Sequence, residues 1–180
     1  MKALAIFALS LCPLAAGPPN SCAQNPEYRR FDFWIGDWNV EVAGRIVAKI
    51  RIQSIADGCI ILENWMPFGG GEGKSWNFYN STTKQWEQLW VTNTGEILKV
   101  AGGWKDGAMR EQGPTRSGLH RHSFTPVRPD RVRQFCEESE DGGQTWRTAF
   151  DGLYIPVKSP NTFHVGQIVN LRPIVNRPVR

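Results

Sequence analysis

Three neighbouring segments of the chain repeat one chemically useful pattern, in which polar and aromatic residues alternate with residues of other kinds. If extended, residues 59–65 put Cys59, Ile61, Glu63 and Trp65 on one side. Residues 75–79 put Ser75, Asn77 and Tyr79 together, opposite Trp76 and Phe78, and residues 85–91 put Trp86, Gln88 and Trp90 together. Successive hairpin strands must agree on which side is interior. One consistent assignment places Glu63, Trp65, Asn77, Tyr79, Gln88 and Trp90 inside, with Arg121 and Gln134 completing the set from the far side if their parity follows. Aromatic walls carrying a few polar groups are what a small-molecule pocket requires. The opposite parity turns Ile60, Leu62, Trp76 and Phe78 inward and makes the polar–aromatic row an outer surface suited to carbohydrate or protein. A third arrangement fills the interior completely and pairs Glu63 with Arg121, so that neither charge is buried alone.

Other reactive residues carry less specific patterns. His120-Arg121-His122 puts two imidazoles on one strand face, but no third ligand stands near them in sequence, and His164 is isolated. Packed or solvated histidines are therefore expected, and no metal site is assigned. Asp32 and Asp37 read as turn caps rather than as acid–base partners of Glu63. The glycine run Gly69–Gly73 lacks the spacing and the following helix of a phosphate loop and reads as a hairpin loop or lid. No G-x-S-x-G elbow, H-E-x-x-H helix or C-x-x-C pair is present, and no catalytic residue is assigned. Of the cysteines, Cys22, Cys59 and Cys136 allow three single pairings; one bridge and one buried thiol is the expected outcome.

These residues need a scaffold, and turn signals define it. Ala43-Gly44, Asp57-Gly58, Gly69-Gly70-Gly71, Asn80-Ser81, Asn93-Thr94-Gly95, Gly102-Gly103, Asp106-Gly107, Pro129-Asp130 and Asp141-Gly142-Gly143 punctuate runs of short, β-prone sequence. Within Arg45–Ile52, Ile46, Ala48, Ile50 and Ile52 alternate with basic residues. Strands are expected near 38–43, 45–54, 59–66, 75–80, 85–92, 96–101, 107–112, 119–125, 131–137 and 145–154. About ten strands in a meander close most simply as an all-β, antiparallel up-and-down barrel, which leaves no exposed edge. Residues 25–36 read as a short helical turn. Phe31, Trp34, Gly36 and Trp38 form a plug, with the glycine bending the chain so that Trp38 tucks beneath.

The flanks read differently. Residues 1–16 have the charged start, short apolar run and small residues of a secretory signal, with cleavage as late as residue 23 also open. The apolar run is too short to span a membrane. The barrel is placed at 24–155, and 156–180 is a proline-bearing basic tail expected to attach loosely. The chain carries 21 Lys+Arg and 17 Asp+Glu, but all 17 acids and only 16 of the bases lie within 24–155, a net charge of −1. A nearly neutral body is no footprint for nucleic acid.

Phe31-Asp32-Phe33-Trp34-Ile35-Gly36-Asp37-Trp38 is similar to the Gly-x-Trp opening of lipocalin-type barrels. The stretches Pro26–Arg30, Gly58–Trp65, Gly69–Ser75, Asn77–Tyr79, Trp86–Val91, Arg131–Gln134, Asp141–Trp146 and Phe150–Tyr154 extend the match. Over residues 22–155 the chain resembles a family of uncharacterised exported bacterial proteins with a calycin-like barrel. The resemblance implies a fold and no established activity. It also implies a Cys22–Cys59 bridge tying the plug to the barrel, with Cys136 left as a buried thiol. Because nitrobindin, another calycin-like barrel, holds haem through one histidine, haem at His120, His122 or His164 is the sharper cofactor expectation; otherwise no cofactor is expected.

The reading that follows is a periplasmic or secreted barrel, monomeric or weakly dimeric, that holds a small apolar or amphipathic molecule. The alternatives are a calycin-type isomerase or hydrolase working around Glu63 and Arg121, and a solid-core interaction module.

Overall fold

A computed structural model describes residues 22–157. The expected signal segment, the tail beyond residue 157 and His164 lie outside the described residues. Ten strands follow one another: β1 (Gly36–Val42), β2 (Arg45–Ile55), β3 (Ile60–Pro67), β4 (Gly73–Asn80), β5 (Gln85–Thr92), β6 (Ile97–Lys105), β7 (Ala108–Pro114), β8 (Leu119–Val127), β9 (Arg131–Ser139) and β10 (Arg147–Pro156). Each pairs antiparallel with the next, and β10 closes onto β1 from Trp38 opposite Pro156 to Glu41 opposite Leu153. The all-β, up-and-down barrel of ten strands read from the turn signals is the observed architecture, and no helix among the described residues is long and apolar enough to cross a membrane.

Most strand ends shift by one to four residues from expectation, and two strands show why. Gly102-Gly103 lies inside β6 rather than in a turn. At Gly102 the neighbouring strand passes so close that an added Cβ would fall 1.9 Å from the Arg110 carbonyl oxygen, so glycine marks a close approach. β10 begins at Arg147 rather than 145, because the Asp141 carboxylate holds the preceding loop together. It accepts from the backbone N–H groups of Gln144 and Thr145, both at 2.9 Å, and from the Thr145 hydroxyl at 2.6 Å. The strand then runs to Pro156, two residues beyond its expected end.

The plug enters from the end of the barrel that carries the β2–β3, β4–β5, β6–β7 and β8–β9 turns. Three 3₁₀ turns, Cys22–Gln24, Pro26–Arg29 and Asp32–Trp34, make it up. Asn25 starts the second by accepting from the Glu27 N–H at 3.0 Å, with Pro26 already preset for the turn. Phe31 and Trp34 are fully buried and stacked at 4.9 Å; Trp34 meets Phe124 at 4.4 Å and Phe31 meets Trp86 edge-on at 5.7 Å. Trp38 folds back under the plug and donates its indole N–H to the Trp34 carbonyl at 2.9 Å. Gly36, at φ +151°, supplies the bend that L side chains rarely adopt. Phe31, Trp34, Gly36 and Trp38 thus lie together at this end of the barrel.

Two links fasten the plug to the β2–β3 turn. Cys22 and Cys59 form a disulfide, and the Arg29 guanidinium donates to the Gly58 carbonyl. Among the described residues Cys136 is the free thiol, and it is buried. A chain cut after Ala23 would lack the bridge. Because the bridge closes a loop with a sequence separation of 37, replacing both Cys22 and Cys59 with serine should lower the unfolding free energy by roughly 2–4 kcal/mol. Urea titration measures this, and reductant should shift the wild-type midpoint the same way while leaving the double variant unmoved. Equal midpoints for the two proteins would show that the plug holds without the bridge.

Candidate functional site

The plug fills only half of the lumen. Towards it, Phe31, Trp34, Trp86, Met109, Phe124, Val132 and Tyr154 form a continuous apolar core. Towards the other end, where the β1–β2, β3–β4, β5–β6, β7–β8 and β9–β10 loops lie, the inward residues enclose a cavity of about 280 Å³. Its lining is Glu63, Trp65, Gln88, Trp90, Leu98, His120, His122, Gln134, Cys136 and Phe150. The alternatives of an open cavity and a filled core are thus both realised, one above the other.

Strand register decides who meets whom. Glu63 stands opposite Ser75, Ser75 opposite Trp90 and Trp90 opposite Leu98 across β3 to β6. Beneath them a chain of hydrogen bonds forms the floor. Gln88 Nε2 donates to Asn77 Oδ1 at 2.8 Å, Asn77 Nδ2 to Ser75 Oγ at 2.9 Å, and Ser75 Oγ to Glu63 Oε2 at 2.7 Å. Asn77 also donates to the Ile61 carbonyl at 3.1 Å, so this buried amide is well satisfied. Two aromatic walls lie over glycines. An added Cβ at Gly73 would come 2.4 Å from the Trp90 ring, and at Gly152 2.5 Å from the Phe150 ring. These strands give up side chains so that neighbouring rings can lie flat against them.

A second cluster occupies the opposite wall. Glu111, His122 and Cys136 stand directly opposite one another on β7, β8 and β9, and His120 lies two residues along β8 on the same face. His122 Nε2 is 2.8 Å from Glu111 Oε2, and His122 Nδ1 is 3.4 Å from His120 Nε2. A ligand atom from each of His120, His122 and Cys136 lies within 4.8 Å of the others. On the same strand as Cys136, Gln134 accepts a short hydrogen bond from the Tyr154 hydroxyl.

Burial sets the ionisation of the cavity groups. Desolvation raises the Glu63 carboxyl to about 7, with the Ser75 hydroxyl opposing it. It lowers the His120 imidazole to about 4, assisted by His122, so His120 is neutral at physiological pH. It pushes the Cys136 thiol up to about 12, with the nearby Glu63 charge adding to the effect.

Of the residues named from sequence, Glu63, Trp65, Gln88, Trp90 and Gln134 line the cavity. Asn77 faces inward but belongs to the floor. Tyr79 also points inward, yet it packs on the plug against Tyr28 at 5.3 Å and Trp86 at 6.4 Å and does not reach the cavity. Arg121 is a correction: it faces outward, donates to Glu137 Oε2 at 2.7 Å, and lies 3.9 Å over the Trp146 ring. The expected Glu63–Arg121 pair does not exist; Glu63 has Ser75 instead. His120 and His122 take the inward places, with Cys136 as the third neighbour that sequence proximity did not reveal. The available signal was Phe124, whose side chain belongs inside and fixes the same parity for His122 and His120.

Glu63 provides a direct check on this geometry. Its folded-state value of about 7 lies above the ordinary 4.5 of an exposed carboxyl, so the folded chain holds the proton more tightly. Its contribution to stability is then full below pH 4.5, is lost as pH rises to about 7, and levels off above. Glu63→Gln lacks this dependence. The stability of the variant relative to wild type should therefore grow across that window, towards a change on the order of 3 kcal/mol. Urea melts of both proteins from pH 4 to 8 measure it; a constant difference would mean that the carboxyl is hydrated in the folded chain.

No protein-family model matches the chain and no curated protein matches it, so the reading of the site rests on its own geometry.

Proposed function

We propose that this is an exported, calycin-like barrel that holds a small amphipathic molecule in the half of its lumen left free by the plug. The observation that carries the reading is the composition of the cavity. Trp65, Trp90, Leu98 and Phe150 give it apolar walls, and Glu63, Gln88, Gln134, His120 and His122 place hydrogen-bonding groups among them. At about 280 Å³ it lies near the lower end of small-molecule pockets. This favours a ligand of modest size over haem. Exposed Phe68, in the β3–β4 loop, and Ile97, at the start of β6, add apolar surface near the mouth, where an amphipathic molecule would first make contact. A disulfide in a small domain fits an oxidising compartment and supports the periplasm or the cell exterior.

A specific observation also favours a second reading. A carboxyl raised to about 7 and facing a cavity is suited to general acid–base work near neutral pH. In that case Glu63 would act in an isomerase or hydrolase without Arg121, which faces away. Glu63→Gln would then abolish turnover of a bound ligand while leaving its binding within about tenfold.

Native mass spectrometry of the mature protein from the periplasm, with an absorbance spectrum of the same sample, tests the first reading. A bound small organic molecule is the expected result. Leu98→Trp should place an indole in the chamber and weaken that binding at least tenfold with the barrel still folded by circular dichroism. An apo mass, together with no binding of apolar fluorescent probes by wild type, would leave the cavity without a ligand and defeat the proposal.

A further inference from the structure

The wall opposite Glu63 has features that binding an organic molecule does not require. His120, His122, Cys136 and Glu111 converge from three strands. We propose that His120 Nε2, His122 Nδ1 and Cys136 Sγ form a three-ligand site for one divalent transition metal of the zinc class, with its fourth position open to the chamber.

Geometry is the first support. The two imidazole nitrogens face each other at 3.4 Å. Two nitrogens bound tetrahedrally to one zinc ion at ordinary bond lengths are about 3.3–3.4 Å apart. Cys136 Sγ lies within 4.8 Å of both, and a shift of about 1 Å brings it to bonding distance. Strand register enforces the grouping, because Cys136 is the direct cross-strand partner of His122.

Surrounding residues supply the second support. In the occupied site Glu111 Oε2, 2.8 Å away, would accept from His122 Nε2, which leaves His122 Nδ1 to present its lone pair towards His120 and Cys136. A carboxylate behind a ligating histidine orients the ring and raises its donor strength. Gln134 plays the matching part for sulfur. Its oxygen is engaged by Tyr154, which leaves the amide hydrogens for Cys136.

Charge is the third. Glu111 is 2% exposed, and its Oε1 has no hydrogen-bond partner among the described residues. A buried carboxylate in that condition calls for positive charge nearby. One thiolate and one carboxylate balance a divalent ion, so the occupied site would be neutral as a whole. Two imidazoles and a thiolate select zinc-like or softer ions over magnesium and calcium. All three ligands line the cavity, so a water or a donor atom of the chamber's occupant completes the coordination. Only this last point rests on the proposed ligand-binding function.

Zinc is the probe for the test, added to the mature protein after chelation and followed by dialysis, elemental analysis and calorimetry. One zinc per chain is expected. Cys136→Ser and His122→Ala should each weaken it at least a hundredfold, and Glu111→Gln, a positioning change, about ten- to a hundredfold. Cobalt in place of zinc should give a thiolate charge-transfer band that is absent in Cys136→Ser. Circular dichroism identifies any variant that fails to fold, and the cobalt band of wild type then decides alone. No retention by wild type, or equal retention by Cys136→Ser, would overturn the proposal and leave Glu111, His122 and His120 as a hydrogen-bonded row. An organic ligand without zinc would keep the binding function and lose the metal; zinc without an organic ligand would do the reverse.

Discussion

Closing ten strands into a barrel creates a lumen that inward side chains cannot fill evenly along its length, since interior width grows with strand number. This chain meets that constraint with its own N-terminal segment. Phe31 and Trp34 enter one end and pack against Trp86, Phe124 and Tyr154, contributed by three different strands. The large aromatic contact makes that half a close-packed core of the ordinary kind. The other half receives no such insert, and its aromatic and polar residues are left lining space. A cavity exists here because the plug stops where it does, at the level of Phe124 and Tyr154.

The division into halves explains the electrostatics. Among the described residues no lysine or arginine lines the chamber, so within them Glu63 and Glu111 have no basic partner there beyond the histidines. Each answers differently. Glu63 sits at the end of a donor chain running from Gln88 through Asn77 and Ser75, and its burial favours the protonated form. Glu111 sits behind His122, with one oxygen that has no partner among the described residues. The arginines that could have neutralised them are spent outside the wall, Arg121 on Glu137 and Trp146, and Arg133 on Asp151 at 2.8 Å. Outer charges pair with each other in solvent, and inner polar groups are left to one another.

Much of this was legible in residue order. Turn dipeptides marked most of the strand boundaries, because a short antiparallel strand must end where glycine or aspartate lets the chain reverse. The plug was legible in the density of aromatics around Gly36, and the inward side of β3 to β5 in the alternation of Glu63, Trp65, Asn77, Gln88 and Trp90. Two features were not. Gly102-Gly103 has the composition of a turn, but the strand runs through it; only the passage of Arg110's backbone, a long-range fact, requires glycine there. The parity of β8 was the other. His120-Arg121-His122 alternates polar with polar, so its own pattern does not say which side is inside, and a charge partner for Glu63 made Arg121 attractive. Cys136 joins the histidines through pairing of strands whose residues lie some fourteen positions apart, which no local pattern reports.

The same strand that was hardest to read ties the two halves together. Phe124 touches Trp34 of the plug at 4.4 Å, His122 lies 5.1 Å from Phe124, and His120 follows at 5.4 Å from His122. Along β8, then, one face passes from close-packed core to reactive wall in three alternate residues. Aromatic packing at Phe124 restricts how far the strand can rotate or slide, and a one-residue slip would exchange the histidines for Arg121 and Ser123. Cys59 and Arg29 fasten the plug to the β2–β3 turn, across the barrel from β8. The plug is therefore gripped on one side by covalent and polar links and on the other by Phe124. Through that grip it holds the register on which the placement of His120 and His122 depends, so the segment that limits the cavity also positions the groups that give it chemistry.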